Sequence, residues 1–99
     1  MDAYRINEAG DLHNDIPFYL NRFLKRISDE FSRKATSKGL ILYSEHKGLN
    51  VTVKGDADKL EQVLANLLTN AIKFTSRGNV NFHTEYSEGN FGLKLEIPV

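Results

Sequence analysis

The sequence contains no cysteine. Disulfides, thiolate metal sites and thiol nucleophiles are therefore excluded. An excess of one charge is missing too, since 13 Lys and Arg balance 13 Asp and Glu. That balance gives no electrostatic footprint for nucleic acid or an anionic membrane, although a small local basic patch is compatible with it. No apolar run approaches the ~20 residues needed to span a bilayer. The start Met1-Asp2-Ala3-Tyr4-Arg5 lacks the charged opening and apolar stretch of a signal peptide. The chain reads as a soluble cytoplasmic domain without direct membrane contact, and any membrane anchor of a parent protein lies outside it. His13, His46 and His83 are scattered, which gives little support to a histidine metal site. Internal repeats and low-complexity tracts are absent.

What remains is 99 residues with an ordinary hydrophobic share of 40%, enough for one small domain. A chain of this length buries a limited fraction of its surface, so the loss of any edge of the core is felt. Residues 1–15 read as a lead-in strand or loop, with Tyr4 and Ile6 alternating before Gly10. Asp15-Ile16-Pro17 predicts a helix start, an acidic cap closely followed by proline. A helix is predicted over Phe18–Ser37, because Leu20, Phe23, Leu24, Ile27, Phe31 and Ala35 recur three or four apart. Gly39 suits its left-handed C-cap. Strands are predicted at Leu40–Tyr43 and Val51–Val53, with a turn at Lys47-Gly48, which leaves His46 in a loop.

The second helix, about Asp58–Phe74 with Asp56 or Asp58 as its cap, has the clearest periodicity. Leu60, Val63, Leu64, Leu67, Leu68, Ala71 and Ile72 form an unbroken apolar stripe. Val80–Tyr86 and Phe91–Ile97 then alternate around Ser87-Glu88-Gly89-Asn90 as a hairpin, with His83 on its surface. The fold class is α+β, a two-layer sandwich with two helices on one face of a mixed or antiparallel sheet.

At about 100° per residue, Gln62, Asn66, Asn70 and Lys73 fall within roughly 80° of one another, opposite the stripe. Asparagine carbonyls suit a hard cation such as magnesium, and a lysine suits phosphate as a point charge. Spacing alone leaves a solvated helix face as the simpler reading. A cost is attached to it, since each mid-helix asparagine loses a few tenths of a kcal/mol against alanine.

The run Gly55–Thr75 closely resembles the N-box helix of sensor histidine kinases, whose pattern is G-D-x-x-x-L-x-Q-V-L-x-N-L-L-x-N-A-x-K-F-T. Ser37-Lys38-Gly39-Leu40-Ile41-Leu42 is similar to that family's lead-in. The resemblance spans nearly the whole chain and implies the front part of a Bergerat-type ATP-binding domain, the fold shared with gyrase and mismatch-repair ATPases. It implies ATP and Mg2+ as cofactors in the intact domain. Asn70 would be a magnesium ligand, Asn66 would ligate or orient the metal and its water, and Lys73 would contact phosphate. Phe74 would line the pocket near ribose or adenine, while Gln62 would orient its neighbours. The implied partners are a phosphoacceptor-helix domain and a response regulator.

The sequence also departs from the family. It stops at Pro98-Val99, where a D-x-G-x-G loop would read adenine, so residues 16–99 are expected to form a partial domain lacking that loop, the lid and the C-terminal elements. His13-Asn14-Asp15-Ile16-Pro17 lacks the basic residue of the H-E-x-R-x-P phosphoacceptor pattern and sits at a breaker, so it does not qualify. No residue of this stretch is expected to be catalytic, and the chain is expected to be inactive as a kinase on its own. An apolar face at Leu93, Leu95 and Ile97 is expected to be left exposed and to invite a homodimer or strand swap. The alternative function is a degenerate domain that serves only to dock another protein.

Overall fold

The computed structural model describes residues 16–97; the lead-in at 1–15, including His13, lies outside them. The element order is β1 (Ile16–Tyr19), α1 (Leu20–Ser37), β2 (Ile41–Lys47), β3 (Thr52–Gly55), α2 (Ala57–Phe74), β4 (Asn79–Ser87) and β5 (Asn90–Glu96). The strands form two sheets. A mixed three-stranded sheet has the order β2-β4-β5, with β2 parallel and β5 antiparallel to β4, and an antiparallel pair joins β1 to β3.

Both helices bury one stripe and join the inner face of the sheet in a single core. From α1 come Leu20, Leu24, Ile27, Phe31 and Ala35, and from α2 Leu64, Leu68, Ala71 and Ile72. The sheet supplies Leu42, Val80, Phe82, Phe91 and Leu93. Alternation along β4 puts Val80, Phe82 and Thr84 inward, while His83 and Glu85 face the other way. The expected α+β two-layer arrangement is present, with the β1-β3 pair as an addition to it.

Three expectations need correction. Ile16-Pro17 does not start a helix, because Ile16–Tyr19 pairs with Thr52–Gly55, Phe18 opposite Val53. Proline suits such a strand at a sheet edge, where its missing N–H costs no ladder bond. Helix α1 begins directly at Leu20, whose N–H donates to the Val51 carbonyl at 3.0 Å, and Tyr19 makes no side-chain cap. The Tyr19 hydroxyl and the Asn21 amide instead donate to Asn50 Oδ1 at 3.0 and 3.2 Å.

The second correction concerns the apolar face expected along β5. Leu93 is only 3% exposed and Leu95 is partly buried against the core, leaving Ile97, at 44%, exposed. Leu93 and Leu95 share the inward phase of Phe91 and pack toward the core, so of the three residues Ile97 alone keeps the expected exposure. Third, His46 lies in a strand, because β2 continues to Lys47 in register with β4, His46 opposite Thr84.

Two glycines are fixed by backbone geometry. Gly39 has φ +84 and closes α1 in a Schellman arrangement, with Gly39 N–H donating to Thr36 O at 2.9 Å and Leu40 N–H to Ala35 O at 2.8 Å. Gly48 has φ +70, and a Cβ there would stand 2.3 Å from the Tyr86 carbonyl oxygen. No other residue fits without moving β4.

Candidate functional site

Helix α2 is held at both ends and along one flank. Asp56 caps its start, accepting from the Lys59 N–H at 3.0 Å, and Asp58 adds a favourable charge in the first turn. On the flank, Arg26 of α1 forms a fork with Glu61, with Nη1 to Oε2 at 3.3 Å and Nη2 to Oε1 at 3.0 Å. The hydrogen bonds from Arg26 hold the Glu61 carboxyl below the usual carboxylate range, and Glu61 correspondingly raises Arg26. Solvent screens this half-open pair, so it orients the helices more than it stabilises them. At the far end, Thr75 Oγ1 donates to Ala71 O at 2.8 Å, and Lys38 Nζ donates to Ile72 O at 2.7 Å and Lys73 O at 2.9 Å.

With its apolar stripe committed to the core, α2 turns Gln62, Asn66, Asn70 and Lys73 outward together, and all four are exposed. Phe74 follows at 71% exposure, with Lys73 Nζ 5.7 Å from its ring centroid. An exposed phenylalanine thus stands beside a lysine and two asparagines, on a helix whose opposite side joins the core through Leu64, Leu68, Ala71 and Ile72.

The remaining histidines lie elsewhere. His46 is half-buried between α1 and the sheet, with Nε2 3.1 Å from Ser28 Oγ, Nδ1 2.5 Å from Thr84 Oγ1, and its ring edge-on to Phe82. Burial pushes its pKa down. A cleft of about 370 Å3 opens beside it, lined by residues of α1 and β2. His83 sits on the outer face of the sheet, as expected, 2.9 Å from Glu45 and 3.5 Å from Glu96. A second cleft, of about 400 Å3, is lined by Glu45, His83 and Lys94. Neither cleft includes an α2 residue. Among the described residues no cluster of three or more His, Cys, Asp and Glu could hold a metal, and no helix is long and apolar enough to cross a membrane.

Sequence patterning did not reveal the part played by Lys38. Its position before a C-capping glycine is visible in the sequence, but the carbonyls it meets are 34 and 35 residues away.

No protein-family model matches the chain. Among curated proteins it is similar to the hybrid signal transduction histidine kinase L of Dictyostelium discoideum, 35% identical over 103 aligned positions, covering 98% of this chain and 6% of that protein. It is also similar to the signal transduction histidine-protein kinase BarA of Escherichia coli K12, 38% identical over 95 positions, covering 93% of this chain and 10% of BarA. The chain thus spans a tenth or less of these relatives.

Among solved structures, the nucleotide-free catalytic domain of the histidine kinase ThkA superposes with a TM-score of 0.72 at 22% identity, covering 82% of this chain and 56% of that one. Full-length ShkA in complex with AMPPNP superposes with a TM-score of 0.72 at 25% identity, covering 88% of this chain and 19% of ShkA. The chain therefore has the fold of histidine-kinase catalytic domains and is similar in sequence to sensor histidine kinases.

Proposed function

We propose that this chain forms the metal- and phosphate-facing part of a nucleotide site, within a sensor kinase that positions Mg-ATP for phosphoryl transfer to a histidine. The observation that carries the reading is the outward face of α2. Asn66, Asn70 and Lys73 stand together and exposed on a helix whose other side is buried, in a chain with the fold of histidine-kinase catalytic domains. ShkA, a structural neighbour, was solved with the ATP analogue AMPPNP.

The donor set fits the proposed ligand. Asparagine carbonyls are hard oxygen donors, and magnesium keeps several waters and takes ligands from phosphates, so two protein oxygens on one face are an adequate share. Asn70 would hold the metal, Asn66 would ligate it or orient its water, and Gln62 would orient these neighbours. Lys73 would meet a phosphate as a point charge, and Phe74 would offer a ring face to ribose or adenine. When bound, the metal neutralises charge on the phosphates. The chain's own share of the chemistry is placement, since phosphoryl transfer depends mainly on positioning and charge compensation.

The phosphoacceptor histidine, carried on a partner helix, and a response regulator complete the proposed system. A solved complex of ThkA with the response regulator TrrA is a precedent for the second partner.

Titration with a fluorescent ATP analogue, with magnesium and with EDTA, tests the reading. Magnesium-dependent binding by the wild-type chain that is lost in Asn70→Ala is the expected result. Equal binding by both proteins, or none by the wild type, would overturn it.

A further inference from the structure

We propose that Lys38 is a positioning residue for this nucleotide face, acting from the C-cap of α1 through the last carbonyls of α2; the inference rests on the function proposed above. Three consecutive carbonyls at the end of α2 receive side-chain donors. Thr75 Oγ1 serves Ala71, and the Lys38 ammonium alone serves both Ile72, at 2.7 Å, and Lys73, at 2.9 Å. Beyond the helix's own ladder, the backbone adds at this end, among the described residues, a longer bond of 3.4 Å from Thr75 N–H to Ile72 O.

The carbonyls of a final helical turn have no intrahelical partners and carry the negative end of the helix dipole, so a cation donating to two of them holds that turn closed. The turn in question ends in Lys73 and Phe74, one turn beyond Asn70. Its geometry therefore sets whether the proposed metal and phosphate groups stand on one face.

The ammonium is projected from a rigid corner. The Schellman bonds at Gly39 and Leu40, with Leu40 buried, fix the backbone on either side of Lys38. Ile41 N–H donates to Gly78 O at 3.2 Å, tying the same corner to the segment that leaves α2. Lys38 is itself exposed, so its stem fills no gap in the core, and holding the carbonyls is its principal contribution. A turn released from that hold frays on its own, at lower free energy than global unfolding. Ligand affinity then falls in proportion to the fraction of chains with the turn closed.

The test compares wild type, Lys38→Met and Lys38→Arg as 99-residue chains. Methionine keeps an unbranched stem without a donor, and the arginine fork can donate to both carbonyls. Amide hydrogen exchange is read without nucleotide, and affinity for a fluorescent ATP analogue with magnesium is measured alongside. Lys38→Met is expected to speed exchange at residues 73–76 by roughly three- to tenfold, leave the β4-β5 ladder unchanged, and weaken Mg-nucleotide binding by a similar factor. Lys38→Arg should restore both.

If Lys38→Met matches wild type in exchange and affinity, the positioning role is wrong. It is equally wrong if the variant loses protection throughout the sheet and arginine rescues nothing, since Lys38 would then be a general stabiliser. A wild-type chain that takes up no Mg-nucleotide would overturn the functional reading together with this inference, whereas wild-type binding unaffected by Lys38→Met would overturn this inference alone.

Discussion

If Asn66 and Asn70 are present for a ligand, the fold gives up stability to keep them. Both are exposed in the interior of an 18-residue helix with a side-chain cap at its start. Asparagine is less favourable than alanine in such positions by about 0.5–0.7 kcal/mol each, because its amide competes for nearby backbone groups. The double variant Asn66→Ala/Asn70→Ala should therefore gain about 1 kcal/mol, the sum of the two single replacements. For a domain of this size that gain raises the thermal midpoint by roughly 4–8 °C.

The same variant removes two oxygens that would face a metal. Each polar contact to a charged group is worth about 1.5–3 kcal/mol, so Mg-nucleotide affinity should fall by ~100-fold or more. Far-UV circular dichroism melting without nucleotide reads the first effect, and titration of a fluorescent ATP analogue reads the second. Stabilisation with unchanged affinity would refute the ligand role and leave a solvated face. A lower melting point would refute the premise that the two side chains carry no packing.

Other consequences follow from the core, the half-buried histidine and the two glycines. Leu68 is fully buried, and Leu68→Ala should cost about 2–5 kcal/mol through lost transfer energy and a residual cavity; a denaturant midpoint that barely moves at constant m-value would contradict that placement. His46, with its pKa lowered by burial between Ser28 and Thr84, binds its proton more readily unfolded than folded. Stability should therefore be full above the ordinary imidazole range and decline as pH falls from about 7 toward the lowered folded-state value. Urea midpoints across pH for wild type and His46→Gln measure this, and a slope that survives the substitution assigns the proton elsewhere. Gly39→Ala meets open space and should cost about 1–2 kcal/mol for its left-handed backbone alone. Gly48→Ala adds the collision with the Tyr86 carbonyl and should cost more; equal losses in thermal melts would mean that the Gly48 turn can move aside.

Local pattern alone was enough to define α2. Its apolar stripe and its outward asparagine face are set within one window of about twenty residues, where side-chain spacing determines which face can be buried, and the structure chooses Asp56 over Asp58 as the cap. The same holds for the β4-β5 hairpin, whose alternation around Glu88-Gly89 fixes register without distant help. The N-box resemblance rests on that window as well, so the candidate site was legible before any tertiary contact was known.

Tertiary structure decided the features whose partners lie far along the chain. Ile16-Pro17 carries a helix-start signal, yet pairing with Lys54 and Gly55 makes it a strand, because a ladder across 37 to 39 residues outweighs a weak local cap. The parallel pairing of β2 with β4 draws His46 to Thr84 and half-buries it against Ser28 of α1, a contact no local spacing specifies. Packing onto the core likewise buries Leu93, and part of Leu95, on a strand whose own alternation is silent about what lies above it. Lys38 belongs with these: its sequence neighbours mark the end of α1, but only the folding of α2 beside it supplies the carbonyls that its ammonium holds.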